Sequence, residues 1–220
     1  KFLCRLACIP TIVDLLRPNY GYFPVVRQMF ANYHTQYFDT DTYLFFRQHH
    51  RGERDRYKVR IRHYIDRSVS TAEIKQKTNR NLTIKHRFFQ PYGQRSLGSE
   101  ISTAIDNRLP CDTLTLYPQI STRYSRITMA ALCETERLTI DFGLRIADAT
   151  GVEKHIRPAI VELKQQKYSA RSPAMNVMRQ LGIRPTRFSK YCIGQAMCVA
   201  NLRANRFRPY LRKIKRMNNG

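Results

Sequence analysis

The chain has 220 residues and a formal net charge of +23, from 39 Lys+Arg against 16 Asp+Glu. At that density like charges repel one another in the compact state, so a polyanionic partner is expected: nucleic acid, an acidic membrane surface or a phosphate compound. A hydrophobic fraction of 42% excludes a disordered basic tail, and no apolar run approaches the length of a membrane span.

In chain order, "KFLCRLA" reads as an opening strand and "IPTIVDLL" as a short helix with Pro10 in its first turn. "YGYFPVV" and "NYHTQYFDT" read as a strand pair, closed by Asp39-Thr40-Asp41 as a turn or helix cap. "RYKVRIRHYI" is the clearest strand. "STAEIKQKT" and "LTIKHRFF" flank Asn79-Arg80-Asn81 and form a hairpin. "SEISTAIDNRL" is helical, and "QISTRYSRITMA", "ERLTIDFGLRI" and "AIVELKQ" are three more strands. "SPAMNVMRQLG" is a helix with Ser172 as N-cap, Pro173 at its first position and Gly182 as its stop. "FSKYCIGQAMCVANLRA" is the last helix, and "RFRPYLRKIKRMNNG" is a loose basic tail. No repeat or low-complexity tract interrupts this order, so 1–204 is expected as one domain and 205–220 as the tail. The six cysteines lie among apolar neighbours with no CxxC pair, which reads as reduced, buried thiols of a cytosolic protein. The chain starts at Lys1 without Met, so an upstream signal lies beyond what this sequence tests.

The strands alternate in character. Residues two apart share a face, roughly 6.6–7 Å from each other. One face carries Lys58, Arg60 and Arg62; Glu73, Lys75 and Lys77; Lys85 and Arg87; Tyr124 and Arg126; Arg137 and Asp141; Glu162 and Lys164. The other carries Val59, Ile61, Ile74, Ile84, Leu138, Ile140, Phe142, Val161 and Leu163. An open antiparallel sheet with its charges in water explains any single strand. Repetition over many strands favours a sheet rolled into a tunnel with the cations inside, where buried charges must be paired or hold a ligand. The natural occupant is a chain of phosphates, held by Arg forks and Lys point charges.

The run "YFDTDTYLFFRQHHRGERDRYKVRIRHY", then "AEIKQKTNRNLTIKHR", "RYSR", "RLTIDFGL", "AIVELK" and "RFSKY", resembles in order the VTC-type polyphosphate polymerase domain. That family belongs to the CYTH-like triphosphate tunnel metalloenzymes, and the resemblance runs from Lys1 to about residue 204. It implies an α+β fold: a closed antiparallel eight-stranded β-barrel with covering helices. It also implies transfer of the ATP γ-phosphoryl group onto inorganic polyphosphate. Carried over by position, Lys1 resembles the basic residue of the opening strand. Arg60 and Arg62 resemble the central Arg pair, Lys75 and Lys85 the tunnel lysines, and Tyr124 and Arg126 the Tyr-x-Arg motif. Glu162 resembles the metal-binding glutamate, which suits Mn²⁺ or Mg²⁺. Arg187, Ser189 and Lys190 resemble the basic-Phe-Ser-Lys motif that closes the site. The sequence starts at Lys1, so the glutamate that usually precedes the opening lysine is absent or trimmed away, and the fuller ExExK opening of the triphosphatase branch falls outside what this sequence tests. The membrane span and accessory domain of eukaryotic relatives are missing too, which points to a soluble, cytoplasmic bacterial-type member, free or peripheral to a membrane.

Lys1, Arg60, Arg62, Lys75, Lys85, Arg126 and Lys190 are thus the candidate catalytic residues; Lys58, Arg87, Tyr124, Lys164, Arg187 and Ser189 are candidate substrate contacts. Glu73 is a second metal candidate or the ion-pair partner of a neighbouring lysine. Asp141 reads as a structural salt bridge. Tyr124 either meets substrate or packs the barrel, and Ser189 caps a helix whose N–H groups would face phosphate. His49, His50, His63 and His86 lack metal spacing and read as structural or surface; Phe45 and Phe46 read as packing. Few acids on the cationic face favour a polymerase over a triphosphatase of the same fold. Interleaved Val and Ile, rather than aromatics, speak against base-reading nucleic-acid binding. A non-catalytic polyphosphate-binding module ranks third.

Overall fold

The structure is a computed structural model that describes residues 1–24, 28–80, 82–109, 115–133 and 136–219. Its strands are β1 (Phe2–Cys4), β2 (Tyr20–Tyr22), β3 (Phe30–Asp39), β4 (Arg56–Tyr64), β5 (Val69–Lys77), β6 (Thr83–Gln90), β7 (Tyr117–Ala131), β8 (Glu136–Asp148), β9 (Glu153–Ile156) and β10 (Ala159–Gln165). Its helices are α1 (Cys8–Leu16), α2 (Leu44–Arg51), α3 (Ser99–Asp106), α4 (Pro173–Gln180), α5 (Lys190–Cys198) and α6 (Arg208–Asn219).

All ten strands join one sheet, with antiparallel pairing throughout. The main path runs β1-β10-β8-β7-β3-β4-β5-β6; β2 adds to β7 and β9 to β8. The expected closed eight-stranded barrel is therefore corrected: among the described strands no pairing joins β1 to β6, β6 pairs with β5, and β1 pairs with β10 and adds an isolated bridge from Phe2 to Pro185. The segment before α5 meets the other edge of β1 instead, through the Phe2–Pro185 bridge and a hydrogen bond from the Thr186 N–H to the Lys1 carbonyl at 2.7 Å. The sheet still curls far enough that Lys85 on β6 and Lys164 on β10, toward opposite ends of the strand order, feel each other's charge.

β4 shows why these residues make strands. Its burial alternates residue by residue, with Tyr57, Val59, Ile61 and His63 buried and Lys58, Arg60 and Arg62 partly open. Register carries the pattern across: Lys58 faces Lys75, Arg60 faces Glu73, and Lys75 faces Lys85. The apolar face packs outward under helices. Ile101, Ala104 and Ile105 of α3 join the core that holds Val59, Ile61, Ala72 and Ile74. Ile12, Val13 and Leu16 of α1 and Ala174, Val177 and Met178 of α4 cover Ile127, Met129, Leu138, Ile140 and Val161. The helix spacings i, i+3 and i+4 supply these stripes.

α5 instead lies on the concave side, where its buried Tyr191, Cys192 and Ile193 share a core with Tyr37, Ile120, Leu144 and Ile146. Gly194 permits this approach, since a Cβ there would run into Ile120 Cδ1 and sit 3.0 Å from Ile146 Cγ2. Asp39 ties α5 to α2: its carboxylate accepts from the N–H groups of Thr40, Phe45 and Phe46 at 2.8–2.9 Å and from the Tyr191 hydroxyl.

Other expectations change. β2 pairs with β7 rather than β3, and Val25 and Val26 of its expected strand lie outside the described residues. The last helix ends at Cys198, short of Ala204. The tail is not loose: it forms a 3₁₀ turn over Asn205–Phe207 and then α6. α6 buries Ile214 in the core, and Asn218 hydrogen-bonds Arg157 and the His155 carbonyl. Its apolar residues recur at helical spacing beneath the charges, which overall basicity conceals. α2 and β9 had no counterpart in the sequence reading. Cys133 is exposed rather than buried, and Cys111 and Asn81 lie outside the described residues.

Candidate active site

The concave face gathers cationic residues of β4, β5, β6, β7, β8 and β10, with Lys1 just before β1 and the start of α5. Three carboxylates sit among them, each held by cations. Asp141 on β8 is 2% exposed and forms the centre of one group. Arg126, its neighbour across β7, donates from Nε to Oδ1 at 2.5 Å and from Nη2 to Oδ2 at 2.8 Å. Lys190, the first residue of α5, donates to Oδ2. Burial opposes ionisation of Asp141, but the Lys190 and Arg126 charges outweigh it and hold the carboxyl well below the usual carboxylate range. The expected salt bridge is present, although its partners are Arg126 and Lys190 rather than Arg137 on the same strand face.

Glu73 on β5, 3% exposed, is the second centre. Arg60 donates from Nε at 2.6 Å to Oε2, and Arg87 lies 3.4 Å from Oε1. Its partners are arginines rather than a lysine, and both oxygens are engaged. Glu162 on β10 is the third; its only ion pair among the described residues is to Lys1 Nζ at 3.2 Å, with 28% of its side chain accessible. Burial raises its pKa, but Lys1 and Lys164 bring it down to about 2.

The remaining cations outnumber these acids. Lys58 donates to Ser189 Oγ at 3.0 Å, and that hydroxyl in turn caps α5 by accepting from Cys192 N. Burial, then the charges of Lys58 and Arg60, lower the Lys75 pKa to about 8. Burial and neighbouring Lys1 and Arg60 also lower Lys58. Arg62 stacks near the Tyr33 ring, and its Nε reaches Thr35 Oγ1 at 3.4 Å. Of the two readings of Tyr124 the structure shows the packing one: its ring stacks on Tyr33 at 5.2 Å and lies under Lys190 and Arg126. Among the described residues its buried hydroxyl has no hydrogen-bond partner. Burial raises its pKa, but Arg62, Lys190 and Arg126 pull it below the ordinary phenol value.

Not every candidate is central. Lys85, Arg87 and Lys164 are exposed toward the rim. Arg187 is exposed beside a cleft of about 250 Å³ that Lys58, Lys75, Ser189, Arg206 and Tyr210 also line. Arg206 and Tyr210 were missed because the tail was read as unstructured. The central role of Asp141 was missed because strand alternation shows the face a residue takes, not its partner. His63 bonds Ser70 at 2.6 Å and His49 bonds the Tyr57 carbonyl at 3.3 Å, which agrees with structural histidines.

Among the described residues no three His, Cys, Asp or Glu side chains gather as a metal cage. Mg²⁺-type ions need only one or two carboxylates, completing their shell with water and substrate phosphates. Accessible Glu162 fits that demand; Asp141 and Glu73 have no oxygen left over. Among the described residues no helix is long and apolar enough to cross a membrane.

Comparison with solved structures finds the same fold in a candidate adenylate cyclase from Bacillus halodurans: 15% identity, TM-score 0.56, covering 86% of this chain and 92% of that one. A candidate adenylyl cyclase from Hippeastrum, described as having a dominant triphosphatase activity, aligns at 11% identity and TM-score 0.49, over 92% of this chain and 96% of that one. At 15% identity the likeness to the Bacillus protein concerns fold alone. No curated protein sequence matches. The VTC domain family matches residues 18–199, and this chain belongs to it.

Proposed function

We propose that the chain is a phosphotransferase that moves the γ-phosphoryl group of ATP onto the end of an inorganic polyphosphate chain. The observation that carries this reading is the concave face itself. Its cations exceed its carboxylates by far, and two of the three carboxylates are saturated by arginine and lysine. Such a surface leaves charge to be met by an extended phosphate. Phosphoryl transfer asks for positioning and charge neutralisation rather than covalent work by the protein.

In this reading Lys58, Lys75, Arg60 and Arg62 hold the triphosphate from one side, and Arg126 and Lys190 hold it from the other. Lys85, Arg87, Lys164 and Arg187 guide the chain at the rim. Lys1 positions Glu162. An oxygen of the polyphosphate end bonds to the γ-phosphorus, the bond from that phosphorus to the β–γ bridging oxygen breaks, and ADP leaves. Mn²⁺ or Mg²⁺ held by Glu162 would neutralise charge on the transferring group. Glu73 stays with its arginines and buttresses the wall.

Hydrolysis by the same site is the second reading, favoured by the one accessible carboxylate, Glu162, standing where it could orient water. Incubation with ATP and Mn²⁺, followed by gel separation and phosphorus NMR, separates the two. Chains with matching ADP support the polymerase. Orthophosphate without chains transfers the site to the triphosphatases. Tight polyphosphate binding without turnover leaves a binding module.

A further inference from the structure

The convex face of the sheet holds a second concentration of positive charge that the tunnel does not use. Strand register lines up His63 on β4, His34 on β3, Arg123 on β7, Arg145 on β8 and His155 on β9, each directly opposite the next. Like charges facing across strands destabilise a sheet, and Arg123 opposes Arg145 directly. Both lie on the solvent side, as does His155. Arg95, from the segment after β6, joins them: with His34, Arg123 and Arg145 it lines a cleft of about 360 Å³.

Counter-charge is scarce. Glu153 lies 3.9 Å from Arg145 and 3.5 Å from His155. Among the described residues Arg95 and Arg123 have no ion pair. Asp148 also lines the cleft; its Oδ1 accepts from Thr150 and Val152 of the β8–β9 turn, and its charge with that of Glu153 is outnumbered by Arg95, Arg123 and Arg145. His34 stacks on His63 at 5.3 Å. Burial first, then His63, Arg123 and Arg95, lower the His34 pKa to about 4, so its ring feels the same excess of positive charge.

We infer that this convex row is a second anion site, which holds a linear polyphosphate chain across the strands. His63 is buried, so the accessible row runs from His34 to His155 over four strands, three spacings of about 4.8 Å or roughly 14 Å, far more than one orthophosphate covers. Apart from His155, the rings along the row are already packed on one another, His34 on His63 and Tyr92 edge-on against His63, which favours a bare phosphate chain over stacked bases. The site stands apart from catalysis, because the strands place it on the opposite face from Arg60, Arg126 and Glu162.

The test is calorimetric titration of the full chain with linear polyphosphate, orthophosphate and single-stranded RNA, for the natural protein and for Arg123→Ser/Arg145→Ser. Both arginines are exposed, so the variant folds, and without ligand its melting temperature holds or rises as facing charges are removed. The natural protein is expected to show two classes of polyphosphate site and the variant one, with the second class weakened about tenfold or more. Ring resonances of His34 and His63 are expected to move with polyphosphate in the natural protein only, and turnover of ATP to stay unchanged. An unaltered second class in the variant overturns the inference. So does saturation by orthophosphate alone, or equal binding of RNA. These readouts survive a failure of the proposed catalysis, since they measure binding on the other face.

Discussion

Replacing Asp141 by asparagine removes the charge that holds Arg126 and Lys190 together. All three side chains are largely buried, with 3%, 17% and 12% of their surfaces accessible. Removing one partner from a buried ion pair costs about 3–5 kcal/mol, because the other charge stays desolvated. For a chain of this size each kcal/mol shifts the melting temperature by about 2–4 °C, so Asp141→Asn should melt roughly 6–20 °C lower at pH 7. The folded-state pKa of Asp141 is depressed, so this stability is present above the ordinary carboxylate value of about 4 and is lost as pH falls through the depressed one. Natural and variant curves should therefore converge in strong acid. Tripolyphosphate should restore more to the variant than to the natural protein, since it supplies negative charge to the same two cations. Calorimetric melts across pH, with and without tripolyphosphate, measure all of this. A loss below about 1 kcal/mol at pH 7 would refute the reasoning that Asp141 neutralises two buried cations.

Glu162→Gln should keep anion affinity and abolish metal-dependent turnover; normal turnover with Mn²⁺ would remove Glu162 from the metal role. Lys75, with its pKa near 8, loses charge over the mildly alkaline range, so triphosphate affinity should fall as pH rises through 8. Lys75→Arg should flatten that dependence, and a profile unchanged by it would assign the titration elsewhere. Gly194→Ala should cost about 1–3 kcal/mol by overpacking α5 against Ile120 and Ile146, read as a lower denaturation midpoint at constant slope. An unaffected midpoint would mean that α5 shifts outward without loss.

The local pattern of β4 was legible because its period of two is strict, and its register partners β5 and β6 repeat it. Hence the concave side of Lys58, Arg60, Arg62, Lys75 and Lys85 followed from alternation alone. α4 was legible as well, from Ser172, Pro173 and Gly182 at its ends. α6 was not, because its single fully buried residue, Ile214, is surrounded by charges and counts only once a core exists beneath it. β2 looked like a partner of the strand that follows it, yet long-range pairing with β7 decides its place.

By itself the sequence determined most of the strands, the face their charges take and the excess of cations that calls for a polyanion. These depend on spacings of two, three and four residues along one chain. Only the tertiary structure decided which cation meets which carboxylate, that the sheet stays open between β1 and β6, and that α5 brings Lys190 and Ser189 into the site. Those outcomes depend on register and on approach between residues such as Asp141 and Lys190, distant in sequence. They are fixed by burial and charge neutralisation acting together, which local spacing does not encode.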